Sequence, residues 1–487
     1  MEHFSETKHH QIFIHGEWAD SANSGRIEVE NPATEEIVAT VPEGSAEDAQ
    51  HALQSAQTAQ PDWAALPAID RAKFILTLAS LVGQNRETLA RLVVSEQGKP
   101  LSQAYGEVDA TVQFLTYAAE GARRIEGDIV PADNADEEIW IRRVPFGVTV
   151  GLIAWNYPLA LVARKIGPSL VAGNTIVLKS HEGAPLSGLM MAKLAQEAGF
   201  PPGTLNVVTG TGRTVGDALV RSPITQLVTM TGSVRGGREI FRAAAENITV
   251  VRLELGGKAP FIVMDDADID EVVQLAAMAR FANCGQVCTC NERMYIHEKI
   301  ADQFVDKFLT YASSLEVGDP LTDVDIGPKF NRIELEKVEA LVENAVANGA
   351  ELLSGGKRLT GGMYSKGYWF PPTALTIQSN RMEIMQKEVF GPVIPIMKIS
   401  DFEQGLQFAN ESDYGLAAYV FTKNIKQIMR LTRDLKFGEI YINRPIGESI
   451  QGYHSGYRLS GVGGEDGKYG LDGYLQKKTI YVNFGTP

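Results

Sequence analysis

Two short stretches place a carboxylate and a thiol where covalent chemistry on a carbonyl needs them. Leu253-Glu254-Leu255-Gly256-Gly257-Lys258 sets one carboxylate between apolar residues, ahead of a Gly-Gly pair. Phe281-Ala282-Asn283-Cys284-Gly285-Gln286-Val287-Cys288 follows it with a thiol after a Gly-Gln step. A base and a nucleophile within one α/β pattern suit addition of sulfur to a carbonyl carbon. An ordinary thiol, with a pKa of about 8.5, is only a few per cent thiolate at neutral pH, so the chemistry needs an activating neighbour. Glu254 can serve as that base, directly or through a water.

The chain has three cysteines, Cys284, Cys288 and Cys290, clustered together. Burial as small apolar residues is the ordinary fate of free cysteines. Metal binding is the weaker reading, because the cluster has no sensible fourth ligand: His297 is nearest and sits on a predicted strand, so no metal is expected. A redox sensor built on three close thiols is the non-enzymatic alternative.

Phosphate cradles need backbone N–H groups freed by glycine, preferably at a helix start. Gly210-Thr211-Gly212 with Gly216 follows a predicted strand, one residue off the usual dinucleotide spacing. Thr231-Gly232-Ser233 also follows a strand and opens a helix.

Strand-like and helix-like runs alternate along nearly the whole chain, which predicts an α/β protein with mostly parallel sheets. Ser45-Ala46-Glu47-Asp48 reads as a capping box opening a helix, and helical periodicity covers roughly 69–83, 86–97 and 103–123. Buried strands are predicted at Val148–Trp155, Thr175–Lys179, Leu205–Val208, Gln226–Met230 and Val250–Leu255. A second series comprises Pro260–Met264, Arg293–Ile296, Ala418–Phe421 and Glu439–Ile442, with helices at 268–282, 300–314, 334–348 and 424–434. Gly and Pro punctuation places a boundary near 257–260. The predicted units are 1–127 with 147–256, then 257–456. An arm of 128–146 and 471–487 is left over, carrying the strand-like Ile139-Trp140-Ile141 and Thr479-Ile480-Tyr481-Val482. Strands that belong to neither unit are satisfied by pairing across subunits, which predicts a homodimer or homotetramer.

At 487 residues the chain is too long for one core. Its 44% apolar and 22% charged content is that of a soluble globular enzyme. A net charge of −15 without a Lys/Arg stripe disfavours nucleic acid and anionic membranes as partners. The apolar run Val148–Pro158 is interrupted by Gly151, Trp155 and Asn156 and is too short for a bilayer. The polar start has no secretory apolar region, and three clustered cysteines make no disulfide framework, so a reducing cytoplasm is expected.

Together, the glutamate string, the Gly-Gln-x-Cys string and Trp155-Asn156-Tyr157-Pro158 resemble the active-site signatures of the aldehyde dehydrogenase superfamily. The resemblance runs from about residue 12 to the C-terminus. It implies a Rossmann-like dinucleotide-binding domain, an α/β catalytic domain and a strand-built oligomerisation arm. It also implies Cys288 as the nucleophile, Glu254 as the base that hydrolyses a thioester, and Asn156 with the Cys288 N–H as oxyanion donors. Cofactor contacts are expected from Trp155, Lys179, Glu182, Gly212, Gly216, Gly232, Ser233, Leu255, Glu388 and Phe390. A carboxylate at Glu182 accepts from a ribose 2′-hydroxyl and repels a 2′-phosphate, so NAD is expected, with NADP as the alternative. Further strings, among them Met230-Thr231-Gly232-Ser233-Val234 and Gln451-Gly452-Tyr453-His454, resemble the lactaldehyde and glycolaldehyde dehydrogenase subgroup. There Arg164 and His454 would face a hydroxylated aldehyde, beside Thr289 where close relatives carry Asn. The expected substrate is lactaldehyde- or glycolaldehyde-like. The altered residues Thr289 and 445–451 make a sugar-derived aldehyde such as an anhydro-sugar the alternative, with a semialdehyde behind it.

Overall fold

The computed structural model describes residues 8–485, so the outermost residues of the predicted ranges, 1–7 and 486–487, lie outside the described residues. Several helices begin where polar side chains take up free amide groups. Ser45 caps Ala46–Ala65 in a complete capping box with Asp48, and Asp268 accepts from the N–H groups of Asp270 and Glu271 ahead of Ile269–Phe281.

An eight-stranded sheet holds five parallel strands at its centre, in the order Val250–Glu254, Thr225–Thr231, Val148–Leu152, Thr175–Lys179, Leu205–Val208. Val148–Leu152 and Thr175–Lys179 are buried at every residue, as apolar strands covered by helices on both faces should be. From Val148–Leu152 the chain winds one way to Thr175–Lys179 and the other way to Thr225–Thr231. That leaves a crevice outside the carboxyl ends, where ligands bind in open α/β sheets. A seven-stranded sheet runs Glu351–Ser354, Thr373–Thr376, Val393–Ile399, Asn291–His297, Ala259–Val263, Ala417–Phe421, Glu439–Ile442, all parallel except the first pair. Leu475–Asn483 pairs with the whole of Glu137–Pro145, which also pairs with Asp128–Val130, in a separate antiparallel sheet.

Several expectations need correction. The strand from Val148 stops at Leu152, short of Trp155, because the chain turns there into Trp155–Pro158 ahead of the helix Ala160–Ala172. The helical N-terminal portion is preceded by four short strands, Ile12–Ile14, Glu17–Ala19, Arg26–Glu30 and Ile37–Pro42. Glu351–Ser354, Thr373–Thr376 and Val393–Ile399 are further strands that apolar periodicity did not reveal. Residues 467–472 are helical, and the arm's second strand begins only at Leu475. Gly212–Gly216 forms a single π turn before the short helix Asp217–Arg221.

One long-range strand matters for the site. Gly461–Val462 pairs antiparallel with Leu253–Glu254, and Leu255 N–H donates to Ser460 O at 2.9 Å. Gly461 has φ +155°, and a Cβ there would lie 2.3 Å from Leu253 O, so only glycine lets the two backbones meet. Among the described residues no helix is long and apolar enough to cross a membrane, and no group of three or more His, Cys, Asp and Glu could hold a metal ion.

Candidate active site

The strands of the two large sheets bring opposite ends to the site. Trp155, Asn156, Glu182, Gly232 and Leu255 follow the carboxyl ends of first-sheet strands, whereas Cys288, Phe390 and Glu439 stand at the amino ends of second-sheet strands. The thiol loop is a tight turn. Asn283 (φ +49°) and Cys284 (φ +55°) are both left-handed. The turn is held by polar side chains: Asn283 Nδ2 donates to Asn156 O at 3.0 Å, Gln286 Oε1 accepts from Phe330 N–H at 2.9 Å, and Arg280 donates to Gly285 O at 2.8 Å and to Asn291 O at 2.6 Å. Cys284 and Cys290 are fully buried, and burial pushes their thiols up to about 11 and about 12. Cys288 alone of the three keeps solvent access. Burial raises its pKa too, against the pull of the neighbouring His454 imidazole. Thr289 is buried, and its carbonyl accepts from the Tyr419 hydroxyl at 2.8 Å.

Glu254 is 3% exposed, and neither of its carboxylate oxygens has a hydrogen-bond partner. Burial pushes its pKa up to about 8, against the pull of His454. His454 Nε2 stands 3.7 Å from Glu254 Oε2, and Nδ1 stands 3.2 Å from Glu439 Oε2. The His454 backbone is clamped by reciprocal bonds with Glu465, at 3.0 and 2.7 Å. Arg164 is buried and held mainly by acidic neighbours. Its guanidinium grips Asp466 through Nε at 3.1 Å and through NH2, and NH1 lies 3.2 Å from Glu448. Lys165, next on the same helix, pairs with Glu465. Arg164 therefore ties the 448 and 466 segments together, and only its remaining N–H donors can turn toward a ligand.

Asn156 Nδ2 donates to Gln286 O at 3.0 Å, which fixes the amide beside the thiol loop and, among the described residues, leaves its second N–H without a hydrogen-bond partner. Its backbone is held by Lys99, whose Nζ donates to Asn156 O at 2.9 Å and to Glu107 Oε2 at 2.5 Å. Glu107 Oε1 in turn accepts from the N–H groups of Leu159 and Ala160 at 2.8 and 3.2 Å, at the first turn of Ala160–Ala172. Both side chains of this ion pair are 0% exposed.

The predicted cofactor residues sit at or just beyond strand ends. Trp155 stacks on Phe330 at 4.3 Å and meets Phe390 edge-on at 5.4 Å. Lys179 and Glu182 are paired at 3.1 Å, with Lys179 buried and Glu182 partly exposed. Ser233 caps the helix Val234–Ala244 by accepting from Gly236 N–H at 3.1 Å, with the end of that helix open to solvent. A Cβ at Gly212 or Gly216 would meet nothing within 4 Å, so protein packing does not demand glycine there and the space beside them is open. Leu255 packs over Gly237. Glu388 turns onto Gly257 N–H at 2.7 Å, and burial pushes its carboxyl up to about 7. Crevice-side backbone amides, a paired carboxylate and aromatic faces are the donor set that a dinucleotide's pyrophosphate, ribose and rings require, and the residues fit that group.

Sequence reasoning missed the charged groups that hold these loops. Buried Glu292 accepts from Val389 and Phe390 N–H at 2.8 and 3.0 Å and pairs with Lys258 at 2.7 Å and Arg280 at 3.2 Å, which holds its pKa at about 2. The polar triplet Asn291-Glu292-Arg293 heading an apolar strand was the available signal. Glu439, Lys99 and Glu107 carried no such signal, since single charges on strands and helices ordinarily face water.

The aldehyde dehydrogenase family model matches residues 18–480. The chain is 50% identical over 478 residues to 3,6-anhydro-alpha-L-galactose dehydrogenase of Vibrio sp. (strain EJY3), covering 98% of this chain and 100% of the relative. It is 43% identical over 475 residues to lactaldehyde dehydrogenase of Escherichia coli (strain K12), covering 97% and 98%. The solved structure of a 3,6-anhydro-L-galactose dehydrogenase in complex with NADP superposes with a TM-score of 0.96 at 50% identity, covering 98% of this chain and 100% of that one. Signatures, fold and full-length similarity agree: this chain belongs to the aldehyde dehydrogenase family.

Proposed function

We propose that this enzyme oxidises a sugar-derived aldehyde bearing an oxygen next to the carbonyl, an anhydro-sugar foremost, to the carboxylic acid with NAD or NADP. The observation that carries the reaction is that the one accessible thiol, Cys288, and Glu254, a buried carboxylate without a hydrogen-bond partner, both neighbour His454. Cys288 Sγ adds to the aldehyde carbon, and the resulting alkoxide takes hydrogen bonds from the free Asn156 Nδ2–H and the Cys288 backbone N–H. A bound nicotinamide dinucleotide supplies the hydride acceptor. The acyl group is then a thioester on Cys288. Glu254 removes a proton from water, whose oxygen attacks that thioester, and the C–S bond breaks to release the acid and the thiolate.

Glu182 at the ribose favours NAD through charge, while the NADP complex of a relative supports NADP as the alternative. For the substrate, identity to an anhydro-galactose dehydrogenase exceeds identity to a lactaldehyde dehydrogenase, 50% against 43%. Thr289 in place of Asn and the altered 445–451 segment favour the bulkier aldehyde over lactaldehyde. His454 and the spare donors of Arg164 are the proposed contacts to the neighbouring oxygen. We also propose that the eight-stranded sheet carries the cofactor half, the seven-stranded sheet the catalytic half, and the three-stranded sheet subunit contact, in a cytoplasmic homodimer or homotetramer.

The test is NADH or NADPH formation, scored by kcat/KM, with 3,6-anhydro-L-galactose, lactaldehyde, glycolaldehyde, propanal and hexanal. The anhydro-sugar should rank first, and Cys288→Ala should abolish oxidation while Cys284→Ala and Cys290→Ala keep most of it. Equal rates with hexanal, or substantial activity in Cys288→Ala, would overturn the reading.

A further inference from the structure

Four residues of the site close into a ring. Trp155 and Asn156 are consecutive, and Asn156 Nδ2 donates to Gln286 O at 3.0 Å. Phe330 N–H donates to Gln286 Oε1 at 2.9 Å, and the Phe330 ring stacks on Trp155 with centroids 4.3 Å apart and planes 6° off parallel. We infer that Gln286 is a positioning residue: its side chain latches the thiol loop to the 328–330 segment, so that its own carbonyl holds the Asn156 amide in place as oxyanion donor. The inference rests on the oxyanion role given to Asn156 above and names the residue through which that role is set.

The Gln286 side chain is used at both ends. Oε1 accepts from Phe330 N–H, while Nε2 donates to Asn283 O at 3.0 Å and reaches Pro328 O at 3.4 Å. These partners fix which end is which, since the reverse orientation would set NH2 against an N–H and oxygen against two carbonyls. A carboxylate in the same place could serve only the first of the three contacts. Gln286 is fully buried, so truncating it leaves the buried Phe330 N–H without an acceptor.

The neighbouring contacts do not replace this latch. Lys99 Nζ and Asn283 Nδ2 hold the Asn156 carbonyl, at 2.9 and 3.0 Å, which fixes its backbone and not its side-chain amide. Among the described residues the Gln286 carbonyl is the one acceptor that Asn156 Nδ2 reaches. Asn283 Nδ2 lies 3.5 Å from that carbonyl and is the weaker partner. Gln286 also follows directly on the left-handed pair Asn283 and Cys284 with Gly285, at φ +49°, +55° and +72°, a turn that needs fastening from outside. Arg280 secures its Gly285 and Asn291 carbonyls, and the Gln286 side chain secures it to 328–330. Thiol loop, oxyanion donor and the Trp155–Phe330 stack therefore share one amide. A displacement of about 1 Å at reacting atoms can cost about 10²-fold in rate.

The test is a double-mutant cycle in the full-length protein, Gln286→Met with Asn156→Ala, scored on the best aldehyde of the panel. Hydrogen exchange of the free proteins, read by mass spectrometry, runs beside it. Asn156→Ala should lose about 10²- to 10³-fold in kcat, as removal of an oxyanion donor does. Gln286→Met should lose about 10- to 100-fold, with kcat and kcat/KM falling together, the signature of an interaction made in the transition state. In the Asn156→Ala background the same change should cost less than about threefold, because the group it positions is gone. Equal losses in both backgrounds, or wild-type kcat in Gln286→Met, overturn the inference. Full activity in Asn156→Ala removes the oxyanion role and the inference with it. Gln286→Glu, which keeps the acceptor for Phe330 N–H and loses both donors, enters the cycle should Gln286→Met fail to fold. In the exchange arm the Phe330 amide should exchange about tenfold faster in Gln286→Met than in wild type or Gln286→Glu, and unchanged protection overturns the latch. That arm uses neither aldehyde nor dinucleotide, whereas failure of the oxidation reading would show as no NADH or NADPH from the wild type.

Discussion

At the scale of single residues, the site is a set of titratable groups whose environments push them apart. Burial without partners raises Glu254, while buried Glu292, held by Lys258 and Arg280, stays ionised at about 2. A base works only when deprotonated, so a raised pKa moves its activity to higher pH. Thioester hydrolysis should therefore rise with pH through about 8 and level off above it. Glu254→Gln should remove that rise. It should also leave a rapid burst of reduced dinucleotide followed by turnover slowed roughly 10²- to 10⁴-fold, the range that general-base catalysis supplies. Stopped-flow absorbance separates the two phases, and an unchanged steady-state rate in the variant would remove Glu254 from the deacylation step.

At the scale of elements, the site depends on buried ion pairs that fasten loops to helices. Lys99, just ahead of the helix Leu101–Glu120, and Glu107 upon it together hold Asn156 O and the first amides of Ala160–Ala172. Lys99→Met removes one charge and strands the other out of water, which costs about 3–5 kcal/mol for a buried pair. Urea unfolding should report a loss of that size. In the folded fraction kcat should fall while the KM for dinucleotide changes little, because the proposed oxyanion donor Asn156 moves and the loops proposed to hold dinucleotide stay in place. A stability loss below about 1 kcal/mol with unchanged kcat would show that the pair does not hold Asn156.

At the scale of the whole molecule, the three-stranded sheet and the residue that follows it leave large apolar side chains in solvent: Ile129 is 74% exposed and Tyr481 73%, with Phe484, just past the last strand, 60%. Paired strands bearing such groups are a liability in a monomer and an interface in an oligomer. Light scattering at micromolar concentration should give a multiple of the 53.0 kDa chain mass, two- or fourfold. Ile129→Lys with Tyr481→Lys should shift the protein toward smaller species, and a monomeric wild type would refute the arm's role.

Much of the fold and the strings that nominate Cys288 and Glu254 were legible in the sequence, because local patterns set them. Thr175–Lys179 and Leu205–Val208 are short apolar runs between turn signals and appear as strands at those limits, and Ser45 with Asp48 forms the capping box it spells. The strings around Glu254, Cys288 and Asn156 indicated a family whose model matches residues 18–480. Val393–Ile399 was missed because Pro395 and Lys398 break its apolar pattern, and its strand is sustained by neighbours on both sides. Only the tertiary structure could show which thiol stays accessible, that Arg164 is gripped by Asp466 and Glu448, and that Glu439 and His454 face each other. These relations join residues far apart in the chain. Burial and charge pairing are properties of surroundings assembled from several segments, and local sequence periodicity does not encode them.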